Sequence, residues 1–147
     1  MNIWDRLKDE PCSEANILLA EKHFGVQLPE EYKEALRQQN GGYLKNPLMP
    51  CPKELSEDEF FFVESLYGIH PGKQILNVME TENLMEEWGI PKEKFVFIAG
   101  DGHWFLALYY GENLKEPEIY FIDNEDHVLY PLYKTFSSMT EYLHSEE

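Results

Sequence analysis

The sequence predicts an α+β fold: N-terminal helices, a mainly antiparallel twisted sheet, and a C-terminal helix, in one domain spanning residues 1–147. Three observations predict it. Apolar residues in the N-terminal part recur at helical spacing between capping residues. The last third holds short runs of β-branched and aromatic residues divided by turn signals. These strands come in a block instead of alternating with helices, which argues against a βαβ arrangement. The 147 residues are 43% hydrophobic and 14% aromatic, too apolar for a disordered chain and enough for a core without staples.

Each element has its own signals. In "NIWDRLKDE", Ile3, Trp4 and Leu7 share a helical face, and Pro11 ends the stretch. Ser13 is placed to cap a second helix carrying Ile17, Leu18, Glu21 and Phe24, with Gly25 at its positive-φ end. Pro29 suits the first position of a third helix, and Glu30 and Glu31 suit its positive dipole end. Tyr32, Ala35 and Leu36 form its buried stripe, Arg37 lies near its end, and Asn40-Gly41-Gly42 stops it.

The middle is less regular. Pro47, Pro50 and Pro52 predict a long loop, and "FFFVESLYGI" reads as a buried strand entering a turn. "KQILNV" fits a short strand or a helical turn. Thr81 is placed to cap a helix with Leu84, Met85 and Trp88, ended by Gly89 and Pro91. Then "KFVFIAG", "HWFLALYYG", "EIYFIDNE" and "HVLYPLY" read as strands. They are separated by Asp101-Gly102, Gly111-Glu112-Asn113 and Asn124-Glu125-Asp126. In the second run, Trp104, Leu106 and Leu108 fall on one face and Phe105, Ala107 and Tyr109 on the other. Ser138-x-x-Glu141 matches a capping box before Tyr142 and Leu143.

The formal charge is −16, from 28 acidic and 12 basic side chains. That balance repels phosphate backbones and anionic membrane surfaces, so neither nucleic acid nor membrane is the expected partner. It favours a basic protein partner and would speed the encounter with one. Composition alone favours the plainer role of a solvated surface over partner binding. Cys12 and Cys51 lack metal-ligand spacing and fit a reducing compartment. The opening has no apolar core of a signal peptide, and no apolar run approaches a membrane span, so a cytoplasmic location is expected.

Chemistry has few candidates. Asp101-Gly102 between two strand-like runs reads as a hairpin turn, and no helix follows to make a phosphate cradle. A metal or hydrolytic site built across strands from Asp101, His103, Asp123 and His127 is a minor alternative, since no ligand spacing supports it. Cys51 lacks a nucleophile signature, and there is no G-x-S-x-G. No cofactor is expected. The acidic clusters are more suggestive. Glu54, Glu57, Asp58, Glu59 and Glu64 fall in one window beside Phe60, Phe61 and Phe62, in a long Pro-rich loop. Asp123, Glu125 and Asp126 fall on a hairpin turn, and Asp101 on another. Together they are the candidate partner-binding residues. Glu30, Glu31 and Glu34 edge the third helix, where dipole stabilisation explains them.

The stretch "AEKHFGVQLPEEYKEALRQQNGG" resembles the N-terminal signature of the SUKH superfamily, with Gly25, Leu28, Pro29, Tyr32, Leu36, Asn40, Gly41 and Gly42 in the matching places. "FVFIAGDGHWFLALYYG" is similar to its central hairpin. "VLYPLYKTFSSMTEYL" resembles its closing strand and helix, with Thr135-Phe136 where Ser-Phe is common. The resemblance covers residues 14–144. It implies an α+β domain without enzymatic activity. Many bacterial members are immunity proteins that neutralise a cognate toxin, commonly a nuclease. Others, including a yeast cell-wall regulator, are intracellular interaction modules. The expected partner is therefore a toxin with a basic nuclease domain, and the alternative is an endogenous partner of a regulatory scaffold. The signature residues read as structural: a helix start, a helix stop and a turn.

Overall fold

The computed structural model describes residues 3–7, 10–73, 75–90, 94–111, 115–126 and 128–144. Helices α1 (Glu14–Phe24) and α2 (Glu30–Gln38) come first. Short strands β1 (Gly42–Tyr43), β2 (Leu48–Pro50), β3 (Phe60–Phe62) and β4 (Ser65–Leu66) follow. A 3₁₀ turn (Val78–Glu80) leads into α3 (Thr81–Trp88). Strands β5 (Phe95–Gly100), β6 (Trp104–Tyr109), β7 (Glu118–Asp123) and β8 (Val128–Tyr133) precede α4 (Phe136–Glu141). The α+β reading holds, with helices at both ends and antiparallel strands between. No described helix is long and apolar enough to cross a membrane.

The four long strands form one antiparallel sheet in chain order, β5-β6-β7-β8. The middle of β6 is buried on both faces, Phe105 through Leu108 alike. Two ribbons border this sheet: β1 pairs with β4, and β2 with β3. The Tyr67 N–H, just past β4, donates to the Ile98 carbonyl at 2.7 Å and ties the first ribbon to β5. The chain after α4 returns to β2, where Leu48 and His144 exchange two backbone bonds (2.9 and 2.8 Å).

The helical signals of α1 and α2 are used largely as read. The Ser13 hydroxyl accepts from the Asn16 N–H, and Gly25 ends α1 at φ 68°. Pro29 stands one residue earlier than expected, as the residue before the helix. Tyr32, Ala35 and Leu36 are buried, and the Tyr32 hydroxyl donates to the Tyr67 carbonyl at 2.5 Å. Asn40 acts as a piece of strand: its amide donates to the Ile69 carbonyl (2.9 Å) and accepts from the Ile69 N–H (2.7 Å). The signature residues thus have structural work of their own.

Several expectations are corrected. Residues 3–7 form no helix; Trp4 makes an antiparallel bridge to Leu44. Its ring is fully buried and its Nε1 donates to the Ala35 carbonyl at 2.9 Å, so tertiary burial of one indole outweighs a weak local pattern. Leu7 is exposed, as is Leu18 on α1, where Ile17 is buried as expected and Ala20 joins it. "FFFVESLYGI" is two short strands, with Phe62 exposed and Val63 buried. Thr81 does not cap α3. Its hydroxyl donates to the Val78 carbonyl (2.7 Å) and accepts from the Phe97 N–H (2.9 Å), joining the helix to β5. The cap of α4 is Thr135, which accepts from the Ser138 N–H at 3.0 Å, three residues before the expected box. Pro91, Glu112, Asn113 and His127 lie outside the described residues.

Candidate functional site

The β5–β6 turn is built by its own residues. Asp101 Oδ1 accepts from the backbone N–H groups of His103 (2.9 Å) and Trp104 (3.3 Å). Gly100 and Gly102 have φ of 147° and 100°, which L-residues with a side chain rarely adopt. A Cβ on Gly100 would also stand 2.3 Å from the Trp104 carbonyl oxygen. The β7–β8 turn repeats the device, with Asp123 Oδ1 accepting from Glu125 (2.9 Å) and Asp126 (3.1 Å).

The two turns are joined. The Asn124 N–H donates to the His103 carbonyl (3.0 Å), and Asn124 Nδ2 donates to the Gly102 carbonyl (2.7 Å). His103 Nδ1 donates to Glu125 Oε1 at 2.9 Å. Asp101, Asp123, Glu125 and Asp126 therefore share one end of the sheet.

The acidic loop reaches the same region. Residues opposite one another in antiparallel strands share a face. Trp104 pairs with Asp123, and Phe121 with Leu106 and Tyr130. On that face Trp104 and Phe121 stack at 5.7 Å, and Phe61 of β3 meets both edge-on at 5.5 Å. The Tyr130 hydroxyl donates to Glu54 Oε2 at 3.1 Å. The segment between β2 and β3 is thus held beside the turns by Glu54 and by Phe61. It carries Glu57, Asp58 and Glu59, all exposed. Glu64 is also exposed, but its backbone carbonyl accepts from Leu44, beside the first ribbon. No contact among the described residues joins its side chain to the others.

The neighbours of these acids register the negative charge. The hydrogen bond to Glu54 raises the Tyr130 hydroxyl pKa, with burial and the Glu54 charge adding to it. Burial, and then Asp58, raises the Cys51 thiol. Burial, and then Asp101, raises the Tyr67 hydroxyl, which donates to the Gly100 carbonyl at 3.0 Å.

The acids of α1 and α2 are arranged differently. Lys33 Nζ lies 3.3 Å from Glu21 and 3.4 Å from Glu30. Arg37 meets Glu14 at 2.5 Å and Glu30 at 3.1 Å, and also pairs with Glu34. Hydrogen bonding to Arg37, with Lys33 adding, lowers the Glu30 pKa. Among the described residues, no lysine or arginine forms an ion pair with Glu54, Glu57, Asp58, Glu59, Glu64, Asp101, Asp123, Glu125 or Asp126; Glu125 meets His103.

The alternative of a cross-strand metal or hydrolytic site finds these side chains otherwise engaged. Asp101 and Asp123 each commit an oxygen to turn N–H groups, and His103 faces Glu125. Among the described residues no group of three or more His, Cys, Asp or Glu is placed to hold a metal ion. Burial pushes the Cys12 thiol up to about 11, away from the reactive thiolate. A separate cleft of about 640 Å³ lies between α1, α3 and β5, floored by Phe24, Met85, Ile90 and Phe95, with His23 and Glu82 bonded across its rim.

Sequence reasoning missed Asn124. It is 2% exposed, and its Oδ1 has no hydrogen-bond partner among the described residues. In the sequence it reads only as one more turn residue.

No curated protein matches the sequence. The profile of the SMI1 / KNR4 family (SUKH-1) matches residues 11–145, which takes in α1, the Leu28-Pro29 helix start, the whole sheet and α4. The chain belongs to the SMI1 / KNR4 family (SUKH-1).

Proposed function

We propose that this protein is an immunity protein, which binds a cognate toxin and neutralises it without catalysis. The family match across residues 11–145 carries the reading, since many bacterial members of the SUKH superfamily have that role. The net charge of −16 supports a basic partner, and a nuclease domain is basic because it must hold phosphates. The turn acids Asp101, Asp123, Glu125 and Asp126, with Glu54, Glu57, Asp58 and Glu59 of the adjacent loop, are the proposed contact surface. Their want of lysine or arginine partners among the described residues supports this choice. Glu64 is a peripheral contributor. Covering the toxin's active cleft blocks nucleic acid by bulk and by charge. Such a protein acts in the cytoplasm, where an incoming toxin would meet its target.

Growth rescue tests the proposal. A toxin encoded beside this gene would be expressed with and without this chain, and the pair tested by pull-down. Rescue with a stable complex is expected. A toxin that neither binds nor is neutralised counts against the proposal, and an endogenous partner recovered in its place favours a regulatory scaffold.

A further inference from the structure

We infer that the free edge of β8 takes up an extended segment of the protein partner as an added strand, and that this segment alternates basic and apolar residues. Only the partner's identity rests on the proposed function.

The four-stranded sheet ends at β8. Among the described residues, no backbone group of Val128–Tyr133 makes a backbone bond outside β7. None of the six residues is buried, whereas β6 buries four in a row. The opposite edge of the sheet is closed. There the Ile98 carbonyl takes the Tyr67 N–H, and the Phe97 N–H goes to the Thr81 hydroxyl. A free edge is a template for pairing, and proteins commonly blunt it with charge or proline. The six residues of β8 include no charged side chain, and Pro131 alone interrupts the row of donors. A second copy of this chain would bring another −16 charge to an already acidic surface, so the occupant is a different protein.

The two faces of the edge specify the segment's pattern. Paired residues of neighbouring strands share a face, and successive residues alternate between faces. Val128 lies opposite Asp123 and Tyr130 opposite Phe121, and the Tyr130 hydroxyl donates to Glu54 Oε2 at 3.1 Å. Residues of an added strand that pair with Val128 and Tyr130 therefore come out on the face carrying Asp123 and Glu54, where lysine or arginine fits. Leu129, opposite Ile122, belongs to the other face, where the added strand meets apolar side chains. Glu54 forms no ion pair with a lysine or arginine among the described residues, so its charge serves the newcomer. Backbone bonds along the edge hold the segment, and the alternation selects it.

The test titrates the full chain, labelled with ¹⁵N and at constant ionic strength, with a short end-blocked peptide that alternates lysine and valine. Two controls carry the same side chains. One gathers the lysines and the valines into separate blocks; the other is N-methylated along its backbone and cannot donate to a strand. Strand addition predicts saturable binding and slowed amide exchange along Val128–Tyr133 with the alternating peptide, and little with either control. Glu54→Gln, at an exposed position whose amide oxygen still accepts from Tyr130, should weaken binding about 2- to 5-fold. Val128→Lys, also exposed, sets a like charge among the incoming lysines and should weaken it further, with the melting temperature nearly unchanged. Equal responses to all three peptides, or protection confined to another part of the molecule, would overturn the inference. Binding unmoved by both substitutions would do so too. A toxin that this chain neutralises supplies the second arm. Toxin binding that leaves exchange along β8 unchanged overturns the inference while the proposed function stands. Peptide protection at β8 with no toxin bound or neutralised sinks the proposed function and leaves the strand addition standing.

Discussion

The helical face of α1 and α2 and the turn end of the sheet are both acidic, yet they use their charge in opposite ways. On the helices, Lys33 and Arg37 hold Glu14, Glu21, Glu30 and Glu34 in a cross-linked set. There two cations offset part of the charge of four carboxylates, and the pairs fasten one helix to the next. At the turn end, the carboxylates of Asp101 and Asp123 shape their own loops, while Glu57, Asp58 and Glu59 stand free of basic partners among the described residues. Like charges held together raise the folding cost, so such a surface persists only when something else compensates. The lesson is that net charge alone says little; the location of the unmatched part says more.

Substitutions on each side test this contrast. The largest effect belongs to the helical side. Trp4→Ala removes a fully buried indole and its bond to Ala35, and should cost on the order of 3–5 kcal/mol in denaturant unfolding. Leu7→Ala, at an exposed position, should stay within about 0.5 kcal/mol. Equal losses from the two would contradict the burial of Trp4 and the exposure of Leu7.

Next comes the turn end. Changing Glu57, Asp58, Glu59 and Asp126 to Lys should slow association with the toxin by roughly 10- to 100-fold at low salt, measured by stopped flow. Its melting temperature should hold or rise, because none of these side chains is fastened to a basic partner among the described residues and the crowding of like charge is relieved. Glu14→Lys with Glu34→Lys should do the opposite, lowering the melting temperature and leaving the association rate nearly intact. If both sets slow association equally, only total charge matters and the contrast fails.

A smaller effect calibrates the scale. Thr81→Val strands the Phe97 N–H, buried and charge-free, and should cost about 1–3 kcal/mol without touching association. The smallest is a pH effect. Glu30 is held below its ordinary value by Arg37 and Lys33, so its contribution to stability is present above the unfolded carboxyl pKa. It is lost as pH falls through the lower, folded value. Thermal melts of wild type and Glu30→Gln should converge as the pH drops below about 4, and diverge modestly above about 5. A gap that widens in acid would contradict the assigned sign.

Much of the frame was legible from local chemistry. Asp101-Gly102, Ser13, Gly25 and the Tyr32-Ala35-Leu36 stripe each act within a few residues of chain, and each is used as read. The misreadings share a physical cause. Trp4, Thr81 and Leu18 have local patterns that fit a helix, but their settings depend on Leu44, Phe97 and the exposure of α1. Thr135 and Ser138 both carry hydroxyls able to cap, and the packing of Phe136 against Tyr32, at 5.3 Å between rings, favours the earlier start. The candidate acids were legible as clusters. Their meeting was not, because Glu54 reaches Tyr130 across 76 positions and His103 reaches Glu125 across 22. Asn124 gave no sequence signal, since an orphaned oxygen is a property of neighbours in space.

On the proposed function, the unmatched acids of the turn end steer a basic toxin. The association rate with a toxin that this chain neutralises, measured against salt for wild type and the fourfold lysine variant, tests this. Steering predicts a steep fall for wild type between low and physiological ionic strength, and a clearly shallower one for the variant. Wild-type and variant rates that coincide at every salt concentration would contradict it.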